Sequence, residues 1–169
     1  MLTEIFGDKV RLRPLADADL VTRARWTADD ELAILIGVDI EKEPFISQED
    51  ELRGNREWLA QRRRAGDVVY AIEVEGRYIG DIDIIIIPQE RKAELCLFIG
   101  DCSQWGKGYG TETVELVLDA LFSGEPVDTI QVDVPATNDR AFRFWQKLGF
   151  KEYSTDEEGT RYLRRSKWD

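Results

Sequence analysis

The sequence predicts a mixed α/β fold, in which helices cover both faces of a mixed β-sheet. Strand and helix patterns follow the order β-α-α-α-β-β-β-α-β-α-β-β, with hairpins before residue 100 and a strand-helix-strand-helix unit after it. Hairpins produce antiparallel strand pairs, whereas a strand-helix-strand unit produces a parallel pair. The 169 residues show no internal repeat or linker, and this length suits a single domain over residues 1–169.

The net charge of −11 and the pI of about 4.6 exclude several classes of partner. An acidic protein repels nucleic acid and anionic membranes at long range, and it attracts cationic substrates, although the same surface also keeps a protein soluble. No apolar run is long enough to span a membrane, and residues 1–4 do not resemble a signal peptide. We therefore expect a cytoplasmic protein.

The chain contains no histidine and two cysteines, Cys96 and Cys102. Without imidazole, proton transfer must use carboxylates, Tyr, Cys, Lys, backbone groups or water. The same absence removes the commonest metal ligand, and we expect no metal site. Two cysteines so close together without a secretion signal are typical of reduced thiols.

The first part of the chain contains one strand and three helices. Alternating apolar and basic residues before Pro14 predict the strand, Asp17 can cap the first helix, and Ser47 begins a sequence that resembles a capping box. The predicted elements are a strand at 10–15 and helices at 18–25, 29–36 and 47–64.

The second part is richer in strands. Gly76-Arg77 predicts a two-residue hairpin turn, and Asn138 or Thr137 can cap the last helix. Asp81 and Asp83 lie on the same face of an isoleucine-rich strand, so they either line a cleft or lie on a solvated edge. The predicted elements are strands at 68–75, 78–87, 93–99 and 129–134, helices at 111–122 and after Asn138, and a hairpin of strands 150–153 and 160–163.

A glycine-rich loop between a strand and a helix carries the clearest chemical signal. Gly106, Gly108 and Gly110 permit positive φ and close approach of a ligand, and Lys107 adds a positive charge. The first N–H groups of the following helix have no intrahelical partner, so they can bind a phosphate or a pyrophosphate. The glycine spacing matches neither a P-loop nor a dinucleotide-binding fingerprint.

Three stretches of the sequence resemble the GNAT superfamily of N-acetyltransferases. Residues 105–112 are similar to its acetyl-CoA-binding motif, Arg/Gln-x-x-Gly-x-Gly/Ala. Residues 138–150 are similar to its signature Asn-x-x-Ala…Tyr-x-Lys-x-Gly-Phe, and the opening strand followed by Asp19-Leu20 resembles a third. The chain most resembles the branch with ribosomal-protein alanine, spermidine and some aminoglycoside N-acetyltransferases.

This resemblance implies a GNAT-like fold and acetyl-CoA as the cofactor. The sheet would be mostly antiparallel, with about seven strands, and would splay between the strands at 94–100 and 129–134 to admit the pantetheine arm. The residues that the resemblance implies for cofactor binding are Phe98, Ile99, Gly100, Trp105, Gly106, Lys107, Gly108, Tyr109, Gly110, Thr111, Asn138, Trp145 and Lys147.

Two positions depart from the family pattern. Trp105 stands where the motif has Arg or Gln, which changes the side-chain contact with the cofactor. Trp145 stands where many members have a Tyr that is assigned as general acid to the leaving thiolate. An indole N–H donates a hydrogen bond but is not a proton source at neutral pH, so we favour a packing role for Trp145.

The implied reaction is direct attack of a primary amine on the acetyl thioester, which requires the amine to lose a proton first. Glu94 is our first candidate for the general base, and its alternative is an exposed strand carboxylate. Asp81 or Asp83 on the neighbouring strand could share this task.

The acceptor is expected to be a cationic small molecule, such as a polyamine or aminoglycoside, or a protein N-terminal amine. The resemblance assigns the acceptor pocket to the early helices, where acidic residues are dense. Asp30 and Glu31 are candidates to bind the cation, and Trp26 and Phe45 could form an apolar wall. The alternative function is a non-catalytic acyl-CoA-binding sensor or interaction module, and homodimers are common in this superfamily.

Overall fold

A computed structural model describes residues 3–36 and 47–169, and Phe45 therefore lies outside the described residues. One eight-stranded sheet runs through the described part in the order β1-β2-β3-β4-β5-β6-β8-β7. The strands are β1 (Ile5–Phe6), β2 (Arg11–Pro14), β3 (Val68–Val74), β4 (Arg77–Ile87), β5 (Lys92–Phe98), β6 (Thr129–Val134), β7 (Lys151–Thr155) and β8 (Arg161–Ser166). The helices are α1 (Leu20–Thr27), α2 (Asp30–Leu35), α3 (Gln48–Ala65), α4 (Tyr109–Gly124) and α5 (Asp139–Lys147).

The predicted mixed, mostly antiparallel sheet is confirmed. Every neighbouring pair of strands is antiparallel except β5 and β6, which are joined through α4 and run parallel. The two-residue edge strand β1 was not predicted, since a strand this short has no periodicity to detect. Within the described ranges, no helix is long and apolar enough to cross a membrane.

The predicted splay lies between β5 and β6. The two strands pair only from Lys92 with Thr129 to Glu94 with Gln131. Beyond that point β5 continues along β4 to Phe98, and β6 continues along β8 to Val134. The facing backbone edges of β5 and β6 are therefore unpaired with each other at this end of the sheet.

An apolar cluster packs on each face of the sheet. On one face, α4 packs Val114, Val117 and Leu118 into a large cluster that also includes residues of β4, β5, β6 and α5. On the other face, α1 and α3 pack Leu20 and Leu59 against β3. Burial of each such side chain contributes about 1.5–3 kcal/mol to stability, so each helix has a fixed position on the sheet.

Three local predictions need correction. The β3–β4 turn is formed by Glu75 and Gly76, not by Gly76 and Arg77, because both central residues have positive φ of 51° and 76°. The residue before α1 is Asp19, and its carboxylate binds Arg13 instead of capping the helix. Helix α4 begins at Tyr109, two residues before the predicted start, since Gly108 with φ of 88° forms its N-cap.

Candidate active site

The glycine loop presents a row of free backbone donors. Gly106 and Gly108 have φ of 77° and 88°, a left-handed conformation that favours glycine. The first intrahelical bond at this end of α4 runs from the N–H of Glu112 to the carbonyl of Gly108. Among the described residues, none accepts a hydrogen bond from the N–H groups of 106–111. These six amides and the helix N-terminus can bind a phosphate group.

The loop is fixed to the end of β5 from both sides. The indole N–H of Trp105 donates to the carbonyl of Ile99 over 2.8 Å. At the start of α4, a Cβ on Gly110 would lie 3.3 Å from Ile99 Cδ1 and 3.4 Å from Leu97 Cδ2. Glycine at this position therefore lets the first turn of α4 lie close against the side chains of β5 and Ile99.

A cleft of about 500 Å³ extends from this loop between α2, β5 and α5. Its volume is typical of sites for small molecules. The cleft brings together most of the residues predicted to bind the cofactor, namely Phe98, Ile99, Trp105, Gly106, Gly108, Tyr109, Gly110, Thr111, Asn138 and Lys147.

Three residues predicted for the cofactor do not line this cleft. Gly100 is covered by Trp26, whose ring atoms would lie 2.1 Å from an added Cβ. Lys107 is exposed, and its Nζ donates to Gln104 Oε1 over 3.1 Å. Trp145 is 5% exposed and packs edge-on against Phe144 and Phe150, as expected for a packing role.

Asn138 joins two walls of the cleft. Its Oδ1 accepts the N–H of Ala141 over 2.9 Å, which confirms the predicted cap of α5. Its Nδ2 donates to the carbonyl of Leu35, the last residue of α2, over 2.8 Å. The side chain therefore lines the cleft and also holds α2 against α5.

Other side chains of this cleft were not predicted from the sequence. Leu32 and Leu35 of α2 and Ile36 directly after it form its apolar wall, and Arg140 and Arg143 of α5 also line the cleft. The two arginines and Lys147 follow the spacing i, i+3, i+7, which places them on one face of a helix. This spacing was visible in the sequence, whereas the contact between α2 and α5 depends on the tertiary fold.

Asp81 and Asp83 neither line the cleft nor lie on a solvated edge. Both are buried under α1 and α3, with 2% and 4% of their surface exposed. Asp81 accepts hydrogen bonds from Arg23 Nε over 3.1 Å and from the hydroxyl of Tyr78 over 2.6 Å. Both carboxylates have cationic partners because an unpaired charge at this depth would be strongly destabilising.

The Asp83 carboxyl has one oxygen beside an arginine and, within the described ranges, one without a partner. Its Oδ2 lies 2.8 Å from Arg62 Nε, while its Oδ1 is buried without a hydrogen-bond partner among the described residues. Burial raises the pKa of Asp83 to about 6, and the charge of Arg62 opposes this rise. The carboxyl therefore changes protonation close to neutral pH, but helix α3 separates it from solvent.

Glu94 lies where the pairing of β5 and β6 ends. It is half-buried, and its carboxylate lies 3.1 Å from Lys92 Nζ, which also binds Glu90 over 3.0 Å. Strand alternation places Glu94 on the same face of β5 as Cys96, opposite the face that packs on α4. Glu94 therefore lies beside the gap that opens between β5 and β6, on the face of the sheet opposite α4.

Cys96 lies farther along the gap on the same face. It is a free cysteine, and its side chain is exposed to solvent. Desolvation by the surrounding protein atoms raises the pKa of Cys96 to about 12; the carboxylates of Asp81, Asp83 and Asp133 add to this rise, and Arg23 opposes it.

The residues predicted for the acceptor are dispersed. Trp26 packs against Tyr78 at 5.1 Å and Phe98 at 6.2 Å between ring centres, above Gly100. Asp30 and Glu31 are exposed in the first turn of α2 and do not line the cleft. Their position in that turn suits the positive end of the helix dipole.

Comparison with known proteins identifies a family that matches most of this chain. Residues 9–151 match the model of the Acetyltransferase (GNAT) domain. A kanamycin resistance protein of Rhizobium radiobacter is 39% identical over 57 residues, which are 34% of this chain and 53% of that protein. Aminoglycoside N(6′)-acetyltransferase type 1 of Klebsiella pneumoniae is also 39% identical over 57 residues, 34% of this chain and 28% of its own length. The match thus spans about half or less of these curated relatives.

The fold is also shared with a solved acetyltransferase. The ribosomal L7/L12 alpha-N-protein acetyltransferase RimL, in complex with coenzyme A, superposes with a TM-score of 0.79. The superposition covers 97% of this chain and 98% of RimL at 12% sequence identity. At this identity the likeness concerns the fold.

Proposed function

Because the chain belongs to the GNAT acetyltransferase family, we propose that it is an N-acetyltransferase that moves the acetyl group of acetyl-CoA to a primary amine. The observation that carries this proposal is the row of free amides at 106–111, which lies at one end of a cleft along β5. The cleft and the loop lie beside the strand that separates from β6.

The residues present fit coenzyme A. The amides of 106–111 suit the pyrophosphate, and the unpaired backbone edge of β5 beyond Glu94 suits an extended arm with amide groups. The apolar wall from α2 and the cations of α5 suit the remaining length of a ligand with apolar and phosphate parts. When bound, acetyl-CoA supplies the acetyl group as an activated thioester.

The acceptor amine approaches from the face of the sheet opposite α4, through the gap between β5 and β6 beside Glu94 and Cys96. Glu94 takes the proton of the ammonium group, either directly or through water, and the amine lone pair becomes available for attack. Lys92 holds the Glu94 carboxylate beside the gap. Trp145 is buried in the core, so the departing thiolate receives its proton from water.

The acceptor carries more than one positive charge. The Glu94 carboxylate beside the gap and the net charge of −11 support this class. Relatives that match part of the chain act on aminoglycosides or confer kanamycin resistance, and the RimL neighbour acts on a protein N-terminus. A polycationic small molecule agrees with the acidic charge of the chain and with the relatives that act on aminoglycosides.

Thiol release from acetyl-CoA tests this function. Purified protein is mixed with acetyl-CoA and a panel of polyamines, aminoglycosides, monoamines and peptides with free N-termini. We expect release with at least one polycationic amine, and mass spectrometry should find one added acetyl group on it. Tight binding of CoA without release for any amine would instead support the sensor alternative.

A matched pair of variants tests Glu94 as the base. Glu94→Gln and Glu90→Gln each remove one carboxylate from Lys92, but only Glu94 lies beside the gap. We expect Glu94→Gln to lower kcat by about 10²–10⁴-fold without changing CoA affinity, because this is the usual contribution of a general base. Glu90→Gln should retain wild-type kcat, and equal rates for both variants would exclude Glu94.

A further inference from the structure

Arg140 is placed in an unusual electrostatic position. It is the second residue of α5, where the helix dipole presents positive charge and a cation is unfavourable. It lines the cleft, and it forms no ion pair with any residue in 3–36 or 47–169. A cation that lines a cleft and has no acidic partner among these residues is a candidate to bind an anionic ligand in that cleft.

Trp105 holds Arg140 in this place. The Arg140 guanidinium lies 4.1 Å from the centre of the Trp105 ring. The indole cannot easily move away, because its N–H is bound to the carbonyl of Ile99 over 2.8 Å. Stacking on an aromatic face uses the plane of the guanidinium and leaves the N–H donors at its edge available.

The stacked pair adjoins the free amides of the loop. Trp105 directly precedes Gly106, the first residue of that row, and Arg140 and Gly106 line the same cleft. At the position where the family motif has Arg or Gln, this chain therefore has an aromatic ring that carries an arginine from α5. The guanidinium of Arg140 therefore lies at this end of the loop, but it belongs to α5 and not to the loop itself.

We propose that Arg140, positioned by Trp105, binds the pyrophosphate of coenzyme A together with the amides of 106–111. This inference rests on the proposed use of acetyl-CoA and assigns two residues within that site. Arg140 contacts the cofactor, and Trp105 acts through Arg140 as a positioning residue.

Calorimetric titration of CoA tests the role of Arg140. Arg140→Gln should weaken CoA binding by about 10- to 100-fold, which corresponds to one charge-assisted contact. Arg164→Gln is the matched control, because Arg164 also stacks on an aromatic ring, Tyr153 at 4.9 Å, away from the cleft. Equal affinity of the Arg140 and Arg164 variants would overturn the proposal, whereas absence of CoA binding to the wild type would overturn the proposed function.

Two further arms locate the contact. With dephospho-CoA, which keeps the pyrophosphate but lacks the 3′-phosphate, Arg140→Gln should cause the same fold loss. A loss that disappears with dephospho-CoA would move Arg140 to the 3′-phosphate and overturn the assignment. Trp105→Leu should weaken binding in the wild type but add little in the Arg140→Gln background, and full additivity would exclude positioning.

Discussion

Replacement of Asp83 by Asn should remove a pH dependence that this buried carboxyl imposes on stability. Burial raises the pKa of Asp83 from 3.8 to about 6 in the folded protein. Folding thus favours the protonated form of Asp83. The stability that this preference contributes is fully present below about pH 4 and is lost as the pH rises through about 6. At about pH 8 the carboxyl is ionised. The shift of about two pKa units then makes ionisation about 3 kcal/mol less favourable in the folded state than in the unfolded state.

Urea unfolding of the wild type and Asp83→Asn between about pH 5 and about pH 8 measures this effect. The variant should fold, since Arg62 retains Asp67 at 3.4 Å and is partly exposed to water. We expect the free energy of unfolding of the wild type, relative to the variant, to fall by about 1.5 kcal/mol from about pH 5 to about pH 8. Parallel pH curves for the two proteins would refute the argument from burial.

Three further changes have specific expected outcomes. Gly100→Ala places a Cβ 2.1 Å from the ring of Trp26, so it should lower the free energy of unfolding by about 1–3 kcal/mol and shift the tryptophan fluorescence. Gly108→Ala, at φ of 88°, should cost about 1–2 kcal/mol and weaken CoA binding, measured by calorimetry. Asn138→Ala removes the cap of α5 and the bond to Leu35, and should lower the free energy of unfolding by about 1 kcal/mol or more in urea titration.

The sequence was informative wherever a local rule decides the structure. The caps at Ser47 and Asn138 were predicted from residue types that satisfy helix ends. The glycine loop was predicted to bind an anion because strand, glycines and helix are consecutive in the chain. These elements needed no knowledge of distant contacts.

Other features depend on contacts that local patterns do not encode. The burial of Asp81 and Asp83 follows from the way α1 and α3 cover β4, and their arginine partners are remote in sequence. The apolar face of α2 lines the cleft because α2 is held against α5, a contact between segments remote in sequence. Arg140 in the first turn of α5 stacks on Trp105 in the loop before α4. These residues are remote in sequence, so only the folded chain shows the contact.

The most direct test of the anion site is a ¹H–¹⁵N NMR titration of the labelled protein with CoA. Gly106, Gly108 and Gly110 have amides among the six free donors, whereas Gly66 and Gly124 lie outside the cleft and serve as internal references. We predict that CoA shifts the three loop glycine resonances strongly and leaves the two reference glycines in place. Binding of CoA with unchanged loop resonances would contradict the assignment of this loop as the pyrophosphate site.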